Sequence, residues 1–387
     1  MKDKLSTYFK GDRVIWIVLV FLSIISIVSV YSSIGDLAYR FSGGNTSHYL
    51  FRHLRFLLVG FIVLYFVHRI PYSLFFSLSQ LFIIVAALLL IFTLFMGVTR
   101  NDATRWLSLP GIGVEFQTSD IAKFALIVYI SRILSLSQEN EESLTLAFKR
   151  IIIPVGIICG LILPSNFSTS FLLFFTSLVL MFIGRIPAKK LFSSVGILIG
   201  IMVFLVMLAF LAPNVGRLGT WKNRIESFWN DKGGDDYQAN LAKTAIATSG
   251  LVGKGPGNSS VRYSLPQAYS DFIFAIILEE WGSLVGILVL SSYLFLLYRV
   301  GMIVKASSRT FPAFLAIGLT VNLVFQALAN MAVAVNIVPV TGQPLPLVSM
   351  GGTSIISTFA ALGVVLSISR SLEKQHLIDE KLKEEIN

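Results

Sequence analysis

Long apolar runs alternate with short polar breaks along most of the chain. They fall at about 14–32, 52–68, 73–97, 120–137, 151–164, 167–184, 190–212, 271–298, 310–335 and 347–369. Several reach the roughly 20 residues that a helix needs to cross a bilayer. An open sheet cannot satisfy its backbone in lipid, so the runs are predicted to be helices. Pro164-Ser-Asn-Phe is read as a tight turn between two spans. The fold class predicted is an all-α integral membrane protein with about ten transmembrane helices, forming one polytopic domain over residues 1–387. The first run follows Lys2, Lys4, Lys10 and Arg13. It is long for a signal peptide and lacks a clear cleavage site, so it is predicted to be a retained span.

Composition agrees: 55% of the residues are hydrophobic and 13% charged. A soluble chain of this size could not hide so much apolar surface. The net charge of +10 bears on topology rather than on nucleic acid, and no nucleic-acid partner is predicted. With the N-terminus inside, the inner segments carry eighteen Lys/Arg and the short outer segments six; the other seven lie in 213–270. Both termini are therefore predicted to be cytoplasmic, with residues 371–387 as a cytoplasmic tail. Cys159 is the single cysteine, and His48, His53, His68 and His376 lack zinc-type spacing. This excludes an intramolecular disulfide and argues against a tightly held transition metal.

The segment 213–270 is the one long loop, predicted to be extracytoplasmic, and long loops in compact proteins are commonly functional. Within it, TWKNRIESFWN (220–230) suits the bilayer interface. An Ala-rich helical stretch follows at 237–250, and then a glycine-rich turn.

Four stretches could carry chemistry. LPQAYSDFIFAIILEEWG (265–282) puts Asp271, Glu279 and Glu280 into an apolar run. Asp271 can be a helix-start carboxylate, with Ser270 or Asp271 as N-cap, or a functional group at the mouth of a site. Glu279 and Glu280 lie roughly 12–14 Å deeper at 1.5 Å per residue. Acids at such depth face protein or a wet cavity. SGLVGKGPGNSSVRYSLP (249–266) combines Gly250, Gly253, Gly255 and Gly257 with Lys254 and Arg262. It reads either as a linker or as a backbone nest for a lipid phosphate or pyrophosphate; it is not a Walker A loop. ATRWLSLPGIGVEFQTSDIAKF (103–124) offers Arg105 and Trp106 as an anchor and Ser119 as a cap. Asp120 and Lys123 share a helix face there, as a salt bridge or a substrate contact. NIVPVTGQPLPLVSMGGTS (336–354) carries no charge and reads as a rigid or re-entrant loop. Gln326 and Asn330 are predicted to hydrogen-bond between helices.

Together these stretches resemble the SEDS proteins (shape, elongation, division and sporulation), polytopic glycosyltransferases of bacterial cell-wall synthesis. The family's R-W and Q-P-S-E-x-x-K, G-L-x-G-x-G, L-P-E-A-H-T-D-F-I-F-A-x-x-x-E-E-x-G and P-x-T-G-x-x-L-P-x-x-S-x-G-G-[ST]-S patterns occur here in order. QTSDIAK departs by Thr118 and Asp120, LPQAYS by Gln267, Tyr269 and Ser270. PSNFSTS (164–170) lacks the family's acid. Arg262 stands where the family often has Lys. The stretch VFLSIISIVSVYSS is similar to division-type members, with the elongation type second.

The resemblance implies polymerisation of lipid II, a disaccharide-peptide on undecaprenyl pyrophosphate, in the bacterial cytoplasmic (inner) membrane. It implies Asp271 as the base or as a carboxylate positioning a divalent cation (Mg or Mn), with no tightly bound organic cofactor. Arg105, Lys123, Lys254, Arg262 and Ser349 become candidate substrate contacts. Asp120, Glu279, Glu280, Gln326 and Asn330 become pocket support. A class B penicillin-binding protein and other division proteins are the implied partners. A lipid II flippase and a scaffold are the rivals from other classes.

Overall fold

The computed structural model describes residues 10–42, 45–100, 103–108, 115–211, 219–220, 222, 226 and 234–386. Its elements are α1 (Arg13–Ser33), α2 (Gly35–Ser42), α3 (Thr46–Val67), α4 (Tyr72–Met96), β1 (Val98–Arg100), β2 (Ala103–Ser108) and β3 (Glu115–Gln117). They continue with α5 (Thr118–Ser135), α6 (Glu141–Ile162), α7 (Phe167–Ile183), α8 (Ala188–Leu211) and α9 (Gly234–Ala247). The chain ends in α10 (Ile273–Ala306), α11 (Thr310–Ala334) and α12 (Thr353–Ile386).

Each predicted run lies on a helix. Among the described residues, eight helices are long and apolar enough to cross a membrane, and α7 is a shorter apolar helix. The remaining run is α5, which carries Asp120, Lys123 and Arg132 and buries twelve of its 18 residues. Its surroundings are protein rather than lipid. It packs between α4 and α11, while α3 lies along α12 and α10 along α11 and α1. Gly60 of α3 rests on the Phe359 ring of α12, where a Cβ would overlap the ring. Small residues permit such close approach where burial of apolar surface gives helices no advantage over lipid. By contrast, α8 buries only Leu191, Ser194 and Ala209.

The structure corrects several boundaries. A three-stranded antiparallel sheet, β1-β2-β3, joins α4 to α5, with Trp106 opposite Gln117 and Ser108 opposite Glu115. Ser119 does not cap α5: Gln117 is the N-cap, and its amide donates to Ser119 Oγ at 2.8 Å. The sixth helix starts at Glu141, ahead of 151, because Asn140 caps it by accepting from Ser143 N at 2.8 Å. The last helix starts at Thr353, since 347–352 belongs to the preceding loop, and it continues through the tail to Ile386. The Ala-rich stretch of the long loop is α9; Trp221, Phe228 and Trp229 lie outside the described residues.

At the bundle end opposite Asp271, Asp12 caps α1 by accepting from Val14 N at 2.9 Å, and pairs with Arg299 Nε of α10 at 2.6 Å. His68, which follows α3, is edge-on to Trp16 and also contacts Tyr65. Burial pushes its pKa below the ordinary histidine value, and the charges of Arg370 and Arg69 add to this. The neutral ring is therefore the form the fold prefers. Its contribution is held above about pH 6.5 and is lost as pH falls through the lower folded value. We predict that the thermal midpoint in detergent drops between pH 7 and pH 5, and that His68→Gln flattens this slope. An unchanged slope in the variant would assign the acid sensitivity elsewhere.

Candidate active site

Asp271 does not cap α10. The N-cap is Phe272, and the chain enters the helix through a turn in which Ser270 N and Asp271 N both donate to Gln267 O, at 2.9 and 3.1 Å. The carboxylate is half-buried. Ser270 Oγ donates to its Oδ1 at 2.9 Å, and Oδ2 faces Gly342. The carbonyls around it are held from outside the turn. Asn330 Nδ2 on α11 donates to Asp271 O at 2.8 Å, and Ser349 Oγ donates to Ser270 O at 2.6 Å.

Ser349 lies on the 336–352 loop, whose residues 345–349 are buried although the backbone is not helical. Irregular backbone at membrane depth survives only where its polar groups find partners in protein. Here they do. Gln343 O accepts from Asn330, Pro344 O from Gln326, Pro346 O from Tyr293 and Val348 O from Ser26. Side chains of α1, α10 and α11 thus hold the loop as a fixed roof. On the α7 side, Gln343 Nε2 donates to Thr169 Oγ1 and, at 3.4 Å, to Asn166 Oδ1.

Below the roof lies a partly open cleft between α5, α11 and α12. Asp120, Lys123, Asn322, Gln326, Ser357 and Thr358 make up much of its polar lining, over Ile127, Leu319 and Leu323. Lys123 Nζ pairs with Asp120 Oδ1 at 2.8 Å and donates to Gln326 Oε1 at 3.4 Å. An ammonium has three donors, so among the described residues one remains for an anion. Asp120 Oδ2 is buried and has no hydrogen-bond partner among the described residues.

Glu279 and Glu280 lie elsewhere. α10 is broken at Gly282 (φ 82°, ψ 173°), and the glycine-rich loop folds into the break. Lys254 Nζ reaches Glu279 Oε1 at 2.5 Å, Ser259 Oγ reaches Oε2 at 2.5 Å, and Ser260 N and Oγ donate to Oε1 at 3.1 and 2.6 Å. Glu280 Oε1 accepts from Ser32 Oγ of α1 and from Ser259 N at 3.4 Å.

The candidate residues thus form separate groups. Asp120, Lys123 and Gln326 share the cleft. Asp271, Asn330 and Ser349 share the turn beneath the roof. Lys254, Glu279 and Glu280 share the helix break. Arg105 is held at the α6–α7 connection, where its Nε donates to Ser165 O at 2.8 Å. Arg262 lies over the Tyr263 ring at 4.5 Å and donates to its hydroxyl at 2.7 Å, beside Gly35 at the α1–α2 junction. Sequence reading missed Gln343, Tyr293 and Ser26, and also the cleft residues Asn322, Ser357 and Thr358. The i, i+3, i+4 spacing of Ser354, Ser357 and Thr358 was the available signal for a polar face on α12.

The family model of FtsW, RodA and SpoVE, described as a cell cycle protein, matches residues 12–374. A "Probable peptidoglycan glycosyltransferase FtsW" of Coxiella burnetii is 30% identical over 371 residues, spanning 92% of this chain and 96% of that protein. The "Stage V sporulation protein E" of Bacillus subtilis is 29% identical, over 93% of this chain and 97% of that one. A chain from the structure of a peptidoglycan synthase complex superposes with a TM-score of 0.73 at 23% identity, covering 92% of this chain and 97% of its own length. RodA of Thermus thermophilus superposes with a TM-score of 0.68 at 22% identity, covering 94% and 98%. These structures share the fold. With a family model that covers nearly all of its length, the chain belongs to the FtsW/RodA/SpoVE family.

Proposed function

We propose that this chain polymerises lipid II into glycan strands at the outer face of the bacterial cytoplasmic membrane during cell division. The observation that carries the reading is Asp271: a half-buried carboxylate on a turn whose Ser270 and Asp271 carbonyls are held by Ser349 and Asn330, next to the loop that roofs a polar cleft. The relatives named as peptidoglycan glycosyltransferases support the activity, and the FtsW name supports division over elongation. The superposed chain of a peptidoglycan synthase complex supports a class B penicillin-binding protein as partner. The Lys/Arg asymmetry supports cytoplasmic termini and an outward-facing Asp271.

In this reading the acceptor sugar's 4-hydroxyl gives its proton to the Asp271 carboxylate. Its oxygen bonds to the donor's anomeric carbon, and the bond from that carbon to the lipid pyrophosphate breaks. The pyrophosphate leaves as an anion, for which Lys123 supplies its remaining donor. Asp120 and Gln326 hold that ammonium in place. Where Asp271 serves instead to position a divalent cation (Mg or Mn), its carboxylate would hold the ion, which would offset the charge of the leaving pyrophosphate. Among the described residues no group of three His, Cys, Asp or Glu could hold one alone.

The test is lipid II polymerisation by the purified chain with its penicillin-binding partner. Glycan ladders are expected from the wild type. Absence of polymer from a correctly assembled complex, together with lipid II transfer across vesicles, would replace this reading with the flippase.

A further inference from the structure

The break in α10 leaves backbone groups unsatisfied on both sides, and one loop serves four of them. Lys254 N and Gly255 N donate to Glu279 O and Glu280 O, each at 2.9 Å. Ser283 N and Leu284 N donate to Gly250 O and Leu251 O, at 3.1 and 3.3 Å. The end of one helical segment and the start of the next are thus capped by the same few residues. Gly253 and Gly282 meet backbone to backbone, both at φ 82°, and a Cβ on either would overlap the other strand of chain.

The side chains close the same joint. Lys254 Nζ donates to Glu279 Oε1 at 2.5 Å, Thr248 Oγ1 at 2.8 Å and Ser260 Oγ at 3.1 Å. An ammonium has three N–H donors, and all three are used. The Glu279 side chain is fully buried and all its acceptors face this loop. The pair is directed into the joint rather than toward a ligand.

We infer that Lys254 and Glu279 are a positioning pair for Asp271 rather than contacts for the substrate. The segment Ile273–Trp281 is a short rod, roughly 12 Å long at 1.5 Å per residue. The joint fixes one end; Asn330 and Ser349 fix the turn at the other, where Asp271 stands. Loosening the joint lets the rod turn, and the carboxylate leaves its place beneath the roof. The inference rests on Asp271 being the base.

The test compares lipid II polymerisation by wild type, Lys254→Met, Glu279→Gln, the double variant and Lys254→Arg, each in complex with the penicillin-binding partner. Lys254→Met strands a buried carboxylate. It is expected to lower kcat by about tenfold or more with KM for lipid II within about twofold. The double variant removes that charge but keeps the serine donors, so it should recover to within about threefold of wild type. Lys254→Arg should retain more activity than Lys254→Met. Hydrogen exchange of amides 273–281, without substrate, should quicken in Lys254→Met and return toward wild type in the double variant. A raised KM that Glu279→Gln leaves uncorrected would make Lys254 a substrate contact and overturn the inference. Unchanged exchange in Lys254→Met would overturn it as well, even if that variant lost activity. Asp271→Asn in the same assay separates the two readings: if it still polymerises, the base assignment fails, while the exchange data still decide whether the joint holds the rod.

Discussion

Asp271→Asn is predicted to fold, bind its partner and make no measurable glycan. Asn keeps the size of the side chain and an acceptor for Ser270 Oγ, and the turn is built from backbone groups the substitution does not touch. The carbonyls of Ser270 and Asp271 remain held by Ser349 and Asn330. What is lost is the ability to take a proton. General-base contributions are commonly 10²–10⁴-fold, so the expected fall in kcat is about a hundredfold or more with lipid II binding retained. The measurement is single-turnover polymerisation beside a thermal-unfolding control. Activity within about threefold of wild type would remove Asp271 from the chemistry and turn attention to Asp120, the carboxylate that lines the cleft.

The second large effect concerns stability. Gly282 has φ 82° and ψ 173°, a conformation essentially reserved for glycine. Alanine there costs about 1–3 kcal/mol in backbone strain alone. Its Cβ would also overlap the Leu251 carbonyl and displace the loop. Four backbone hydrogen bonds across the joint depend on that contact, each with a net value of about 0.5–1.5 kcal/mol. The expected total is about 4 kcal/mol or more, seen as loss of monodisperse protein or a large fall in thermal midpoint. Gly196→Ala is the control: it lies on the exposed face of α8, where a Cβ would meet no atom of the described residues within 4 Å. There the change should be within about 1 kcal/mol and favour alanine. Equal behaviour of the two variants would mean the joint is not a stabilising contact.

The spans were legible because a chain with so many continuous apolar runs can hide them only in a bilayer. The irregular loop was legible too, since three prolines and a glycine pair in an uncharged stretch fit no helix. The small sheet was not, because its strands are three to six residues long and carry no usable alternation. At α10 the difficulty was of another kind. The glycines at 250, 253, 255 and 257 do have positive φ, as an anion-binding nest would. In the fold, the amides of Lys254 and Gly255 face the carbonyls of a broken helix instead. Sequence spacing cannot distinguish a nest for a ligand from a cap for a helix end 25 residues away. The same limit hid two of the roof's supports, because Ser26 and Tyr293 come from distant helices, α1 and α10.

The composition of α5 bears on how the chain reaches the membrane. Alone, this helix is a poor candidate for release into lipid, since each charged residue near the centre of a span costs about 2.5–3.5 kcal/mol. Asp120, Lys123 and Arg132 are softened only by their nearness to its ends. Its early partners come from the preceding helix: Thr93 Oγ1 meets Thr118 Oγ1 at 2.9 Å, and Arg132 Nη1 meets Ser79 Oγ at 3.0 Å. Gln326, which steadies Lys123, is translated much later. We predict that α4 and α5 leave the translocon together, as a hairpin stapled by the sheet between them. Glycosylation mapping of nascent chains ending near residue 140 should find α5 inserted when α4 is present and left behind when α4 is replaced by an unrelated span.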